Sequence, residues 1–159
     1  MNLVKSFGAV VGIFLISLIL FQGCTSPTAS TSSGSGSIVR IQVLPAASTL
    51  QASQTTQISN PDGSTSSYIT WSSTYVTVIV RDGNGNLAPA GIPVNITCGA
   101  GYLGDNPDVT NPISSITINT NSNGQVQVKY TAGFTSGTAS ISATSQGNYG
   151  SATITITSQ

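Results

Sequence analysis

The chain has 159 residues, of which only 5% are charged, and its four basic and four acidic side chains give a formal net charge of zero. This length suits one domain of ordinary size with a leader. Because the chain has no excess of positive charge, nucleic acid is excluded as an electrostatic partner. His and Glu are both absent, so a Ser-His-Asp triad and an imidazole zinc site are impossible. We therefore expect no enzyme activity, cofactor, metal or small-molecule substrate.

The start of the chain is typical of a secretion signal. One lysine, Lys5, precedes a mostly apolar stretch at residues 7–21, which is shorter than the ~20 residues of a membrane-spanning helix and fits a signal-peptide core. Gln22-Gly23-Cys24 follows directly and resembles the lipobox of bacterial lipoproteins. The resemblance implies cleavage before Cys24 and lipidation of that cysteine, which would anchor the protein to a membrane. Ordinary signal cleavage and an uncleaved N-terminal anchor are the alternatives.

Residues 24–37 form a Ser/Thr/Gly-rich segment with nothing to bury, which predicts a flexible tether behind the lipidated cysteine. Its r.m.s. reach is about 20 Å, enough to hold a domain just off a membrane surface. The predicted organisation is a leader at 1–23, the tether at 24–37 and one domain at 38–159. Thr25 stands where many Gram-negative lipoproteins carry an Asp retention signal. The resemblance therefore implies the outer membrane, and it leaves the periplasmic or surface-exposed side open.

Alternating apolar residues predict strands through the rest of the chain, because successive side chains of a strand point to opposite faces. The predicted inward residues are Val39, Ile41 and Val43; Val76, Val78 and Val80; Ile92, Val94, Ile96 and Cys98; Ile116 and Ile118; Val126, Val128 and Tyr130; Ala139, Ile141 and Ala143; and Ala152, Ile154 and Ile156. Turn-forming residues separate the strands. About seven strands with such spacing predict an all-β fold, a single immunoglobulin-like Greek-key β-sandwich.

Three segments are less regular. Residues 48–58 are polar and predict an edge strand, and the Ser/Thr run at 64–67 predicts a loop. Residues 68–82 predict the longest strand of the domain. Asn121-Ser122-Asn123-Gly124 predicts a hairpin turn of the Asn-Gly kind.

Two aromatic residues on the longest predicted strand are candidates for partner contact. Strand parity places Trp71 and Tyr75 together on the outer face, where they would form a contact patch for a protein or a glycan. The alternatives are that both pack under residues 48–67, or that a β-bulge near Ser72 turns Trp71 inward. Tyr102, near the start of a loop at 99–112, is the third candidate contact. Cys98 continues an inward face, which favours a buried core thiol over a reactive one.

Three motifs resemble those of bacterial immunoglobulin-like domains of the invasin/intimin type. Residues 78–96 resemble the V-x-D-x-x-G-N-x-V-x-G-x-x-V motif of that family. Residues 120–133 resemble its second signature, T-D-x-N-G-x-A-x-V-x-L-x-A, and residues 136–143 resemble its third, G-T-A-x-I-x-A. The resemblance covers about residues 38–158. It implies an immunoglobulin-like sandwich whose motif residues build turns and core, and it supplies no catalytic residue.

Together these observations predict a non-catalytic, lipid-anchored protein of the cell envelope. Adhesion or surface recognition, with a protein or glycan partner, is the first expected function. The alternative is a structural accessory subunit of an envelope assembly such as a pilus or secretion machinery, with an edge strand at residues 48–58 available for strand addition.

Overall fold

The computed structural model describes residues 37–158, which form eleven strands. The strands are β1 Ile38–Pro45, β2 Thr49–Gln51, β3 Gln54–Ser59, β4 Thr65–Thr70, β5 Ser73–Asp82, β6 Pro93–Cys98, β7 Tyr102–Leu103, β8 Ser115–Asn119, β9 Gln125–Thr131, β10 Gly137–Ser145 and β11 Asn148–Thr157. Within these residues, no helix is long and apolar enough to cross a membrane. The predicted all-β fold is confirmed.

Two sheets stack on each other to form the immunoglobulin-like sandwich. The first sheet has the order β1-β5-β9-β7, and the second has the order β2-β11-β10-β6-β8. All pairings in them are antiparallel except that of β2 with β11. Consecutive strands β5 and β6, β8 and β9, and β9 and β10 lie in different sheets, as in the Greek-key connections of immunoglobulin-like sandwiches. Within these two sheets, the seven longer strands β1, β5, β6, β8, β9, β10 and β11 match the seven that were predicted.

The core lies where the predicted inward faces meet between the sheets. Val76, Val78 and Val80 are fully buried, as are the inward-facing residues at the centres of β6 and β10: Val94, Ile96, Ala139, Ile141 and Ala143. Burying one such aliphatic side chain is worth ~1.5–3 kcal/mol. In β1 the pairing register shifts between Ile38 and Arg40, so Ile38 is buried in addition to the predicted Ile41 and Val43. The side chain of Val39 lies outside the described part of the chain.

One side of the sandwich is closed by β1, which lies against β11. A Cβ atom at Gly150 would overlap the backbone carbonyl of Ile41. The β10–β11 hairpin turn also reaches β1, because Asn148 Nδ2 donates to the carbonyl of Ile38 and Gln146 Oε1 accepts from Ile38 N at 3.3 Å. Gln146 and Gly147 have φ values of 47° and 81°, as a two-residue type I′ turn requires.

The opposite side of the sandwich is open, between β8 and β9. The predicted turn at residues 121–124 is present, since Gly124 N donates to Asn121 O at 3.0 Å. Its prediction as a hairpin turn was wrong, because β8 pairs with β6 and β9 pairs with β5. The turn therefore carries the chain from one sheet to the other and leaves a cleft between them.

A two-stranded ribbon, β3–β4, forms a small sheet of its own. The prediction of a loop at 64–67 was wrong, since these residues belong partly to β4. The predicted strand at 68–82 is interrupted between Thr70 and Ser73, and the predicted edge strand at 48–58 is divided into β2 and β3. Most side chains of the ribbon are exposed on both faces. Without a buried face, its residues carry no apolar alternation from which the strand could be predicted.

Candidate recognition surface

Cys24 and the predicted leader and tether, apart from Ser37, lie outside the described residues. The lipidation of Cys24 and the domain boundaries stay predictions.

Trp71 lies at the break between β4 and β5 and is half-buried. Its indole meets the ring of Tyr102 edge-on, with ring centroids 5.4 Å apart and an interplanar angle of 81°. It also contacts Phe134, at 5.6 Å between centroids. Edge-to-face geometry of this kind is favourable because the positive edge of one ring faces the negative face of the other.

The aromatic cluster formed by Trp71, Tyr102 and Phe134 brings three distant segments together. Tyr102 is only 9% exposed, whereas Phe134 is 41% exposed. Tyr102 is thus a packing residue whose accessible surface is small. Sequence reasoning missed Phe134, because it lies in a turn with no alternating pattern around it.

Tyr75 lies apart from that cluster, on the outer face of the β1-β5-β9-β7 sheet, and is 51% exposed. It pairs directly with Lys129 of β9. Tyr75 O accepts from Ala46 N and Lys129 O accepts from Gly104 N, so the two carbonyls point to opposite sides of the strand pair. Tyr75 and Lys129 are therefore a non-hydrogen-bonded pair, the kind in which facing side chains come closer together.

A groove next to Tyr75 follows the open side of the sandwich. We name it the edge groove; it has a volume of about 330 Å³, and its lining includes Tyr75, Asp105, Ile116, Ile118, Gln127 and Lys129. Within the described part of the chain, none of the four polar side chains in this set forms a hydrogen bond or an ion pair. The groove therefore offers unpaired donors and acceptors beside an aromatic ring and two isoleucines.

Cys98 is buried, as predicted for a core thiol. Desolvation raises the pKa of its thiol to about 11, and its Sγ donates to Gly101 O at 3.7 Å. A thiol with a raised pKa carries little thiolate at neutral pH and is a poor nucleophile. Burial also raises the pKa of the neighbouring Tyr130 hydroxyl to about 12. Both groups therefore stay protonated at neutral pH, and neither is activated as a nucleophile or a base.

Three of the four Asp residues stabilise turns. Asp62 accepts from Ser64, Asp108 accepts from Thr110, and Asp82 accepts from Asn84 and Asn86. Hydrogen bonds from these neighbours hold the pKa of the Asp62 and Asp108 carboxyls below the usual range. Among residues 37–158, no three His, Cys, Asp or Glu side chains gather as metal ligands.

Twelve chains of solved structures resemble this one, and they include an intimin domain and a bacterial hydrophobin. One is the D0-D1 domain of intimin, at 18% identity and a TM-score of 0.44, over 76% of this chain and 48% of that one. The other is BslA, a bacterial hydrophobin, at 13% identity and a TM-score of 0.41, over 76% of this chain and all of that one. This chain thus spans about half the length of the intimin structure. No protein-family model and no curated protein match the chain. The fold assignment rests on the strand topology.

Proposed function

We propose that this is a non-catalytic, lipid-anchored protein of the bacterial cell envelope, with an immunoglobulin-like domain of the invasin/intimin type that acts in surface recognition or adhesion. The observation that carries the proposal is the edge groove, where the half-exposed Tyr75 lies beside unpaired polar side chains. A closed sandwich needs no such surface for its stability. A recognition surface, in contrast, requires polar side chains that are free to form hydrogen bonds with a partner.

The chemistry of the described residues supports a binding role. The buried thiol and the turn-bound carboxyls are not arranged as a nucleophile with its base. Trp71 and Tyr102 support the surface by packing together, and Tyr75 supplies the exposed aromatic contact.

The proposed anchor at Cys24 explains how a protein of zero net charge stays at a membrane. Each buried CH₂ of an acyl chain contributes ~0.8 kcal/mol, so several chains on one cysteine would hold the protein without electrostatic help. The tether at residues 24–37 would give the domain an r.m.s. reach of about 20 Å from the bilayer. Cys24→Ala should abolish labelling of the protein by palmitate, because the proposed acyl chains are attached at that residue.

Protease shaving of intact cells tests the proposed exposure. Loss of the domain without cell lysis would support surface recognition, and cells would then be assayed for adherence to matrix proteins, glycans and neighbouring cells. Tyr75→Ala should reduce adherence, while the matched control Tyr149→Ala, at an exposed tyrosine of β11, should not. Protection of the domain until the outer membrane is permeabilised would contradict an adhesin role.

The β3–β4 ribbon favours a second candidate, an accessory subunit of an envelope assembly. Among residues 37–158 the ribbon is paired with no other strand, and its only charged side chain, Asp62, lies in the turn. Such strand edges can accept a strand from a partner. Site-specific crosslinking from Thr56 in intact cells tests this candidate. A defined crosslinked partner would support it, whereas a pattern equal to that from Ser151 on β11 would contradict it.

A further inference from the structure

We propose that the edge groove binds a neutral saccharide, with the ring of Tyr75 against the apolar face of one sugar. This inference rests on the proposed recognition function and specifies its ligand. An aromatic face attracts the slightly positive C–H groups of a sugar ring because the π-system carries negative charge on its faces. Tyr75 has half of its surface exposed for that contact.

The polar side chains around Tyr75 match the hydroxyl groups of a sugar, each of which both donates and accepts. The Gln127 amide supplies donors and an acceptor, Asp105 supplies acceptors, and Lys129 supplies donors. All three residues line the groove, and their side chains form no hydrogen bond or ion pair within residues 37–158. The pairing of β5 with β9 places two of these side chains near Tyr75, since Lys129 lies opposite Tyr75 and Gln127 lies opposite Thr77. Tyr75 therefore has both hydrogen-bond donors and an acceptor close to it.

The charges of the groove favour an uncharged ligand. Asp105 and Lys129 contribute one negative and one positive charge to the lining, so these two side chains give the groove no net charge that would attract an anion or a cation. An anionic ligand on Lys129 would meet the carboxylate of Asp105. A neutral saccharide can instead donate to Asp105 and accept from Lys129 through two hydroxyls.

An added peptide strand fits the groove less well, because the edge of β9 is largely occupied. Gln125 O accepts from Asn121 N, and Gln125 N donates to Asn121 Oδ1 at 3.1 Å. Lys129 O accepts from Gly104 N. By strand alternation, Gln127 is the residue between them whose backbone groups point to this edge. One residue cannot align a strand, which needs a row of such groups.

The apolar part of the groove gives the ligand a second contact. Ile116 and Ile118 of β8 are half-buried and line the groove at the open side of the sandwich. They can pack on sugar C–H groups or on the methyl group of an N-acetyl substituent. The volume of about 330 Å³ lies at the lower end of the ~300–1,000 Å³ of small-molecule sites.

Titration of the full-length protein in detergent with three neutral tetrasaccharides tests the proposal. The probes are chitotetraose, cellotetraose and maltotetraose, and binding is followed by calorimetry and by ligand-observed NMR. We expect at least one to bind. Tyr75→Ala should then weaken binding about tenfold, equivalent to about 1.4 kcal/mol, while Tyr75→Phe retains the ring and most of the affinity.

Two further variants keep the test independent of folding. Gln127→Ala changes an exposed side chain and should weaken binding without a change in thermal unfolding. Tyr149→Ala removes an exposed tyrosine on the other sheet and should bind as the unsubstituted protein does.

The outcomes separate this proposal from the proposed function. If no tetrasaccharide binds, or if Tyr75→Ala and Gln127→Ala bind with unchanged affinity, the saccharide site is wrong. Adherence of intact cells that still depends on Tyr75 would then leave the recognition function standing with a different ligand. Saccharide binding by a protein that intact cells protect from protease would support the site and contradict adhesion.

Discussion

The indole of Trp71 stands edge-on to the ring of Tyr102, with centroids 5.4 Å apart. Strand β9 brings them together, because Tyr102 and Ser73, the first residue of β5 after Trp71, both pair with Thr131. Thr131 is completely buried although it lies on the outer face of its sheet by strand alternation. The aromatic cluster therefore seals that end of the sheet.

Trp71→Ala should lower the free energy of unfolding by about 2 kcal/mol, roughly half of what a fully buried tryptophan loses. Trp71→Phe should recover part of this loss, because a ring can still meet Tyr102. Urea unfolding followed by circular dichroism measures both, since Trp71 is the single tryptophan of the chain and its fluorescence is lost in the variants. A loss below about 0.5 kcal/mol, the range of ordinary surface substitutions, would show that the cluster does not stabilise the fold.

Thr131→Val should raise the free energy of unfolding by about 1 kcal/mol. The Thr131 Oγ1 atom is buried and has no hydrogen-bond partner among the described residues, and an unsatisfied buried polar group is costly. Valine has nearly the same shape and the same preference for strands. Thermal and urea unfolding measure the change, with the exposed Thr153→Val as the matched control. A destabilised Thr131→Val would mean that the hydroxyl is satisfied in solution.

Gly150→Ala should destabilise the sandwich by ~1–3 kcal/mol, as overpacked sites do. The added Cβ would overlap the backbone carbonyl of Ile41, so β1 would have to move away from β11. Ser151→Ala at the neighbouring exposed position is the control and should have little effect. Equal midpoints of urea unfolding for the two variants would contradict close contact between β1 and β11.

The parts of the fold that the sequence predicted are those set by local alternation. Val76, Val78 and Val80 are buried because a half-buried strand must alternate. The residues of the turn at 121–124 also predicted a turn correctly. The strands on either side of it, β8 and β9, pair with β6 and β5 and not with each other, and turn residues do not determine which strands pair. The ribbon was missed because neither of its faces is buried.

The candidate site was predictable only in part, for the same reason. Tyr75 follows from strand parity, but Trp71 does not share its surroundings because the strand is interrupted at Ser72. The other residues of the edge groove come from the loop after β7, from β8 and from β9. Their proximity depends on how the two sheets meet at the open side, and no local pattern specifies it.

Asp82 should make stability depend on pH at the acidic end. Its carboxylate accepts from Asn84 N and Asn86 N, both at 2.9 Å. Desolvation is the largest single effect and raises the pKa of this carboxyl, but the hydrogen bonds from Asn86, Asn84 and Gly85 together outweigh it and lower the pKa below its ordinary value of 3.8. A lowered pKa in the folded state means that the ionised form is preferred there. Its contribution to stability is therefore full above the unfolded-state pKa and is lost as the pH falls through the folded-state pKa.

Asp82→Asn tests this dependence, because asparagine keeps one acceptor oxygen and does not ionise. We expect the free energy of unfolding of the variant to fall less than that of the unsubstituted protein between pH 6 and about pH 2. Urea unfolding at a series of pH values measures the difference. Ser151→Ala, at an exposed position that carries no ionisable group, is the control and should leave the pH profile unchanged. Parallel pH profiles for Asp82→Asn and the unsubstituted protein would show that the turn hydrogen bonds do not favour the carboxylate.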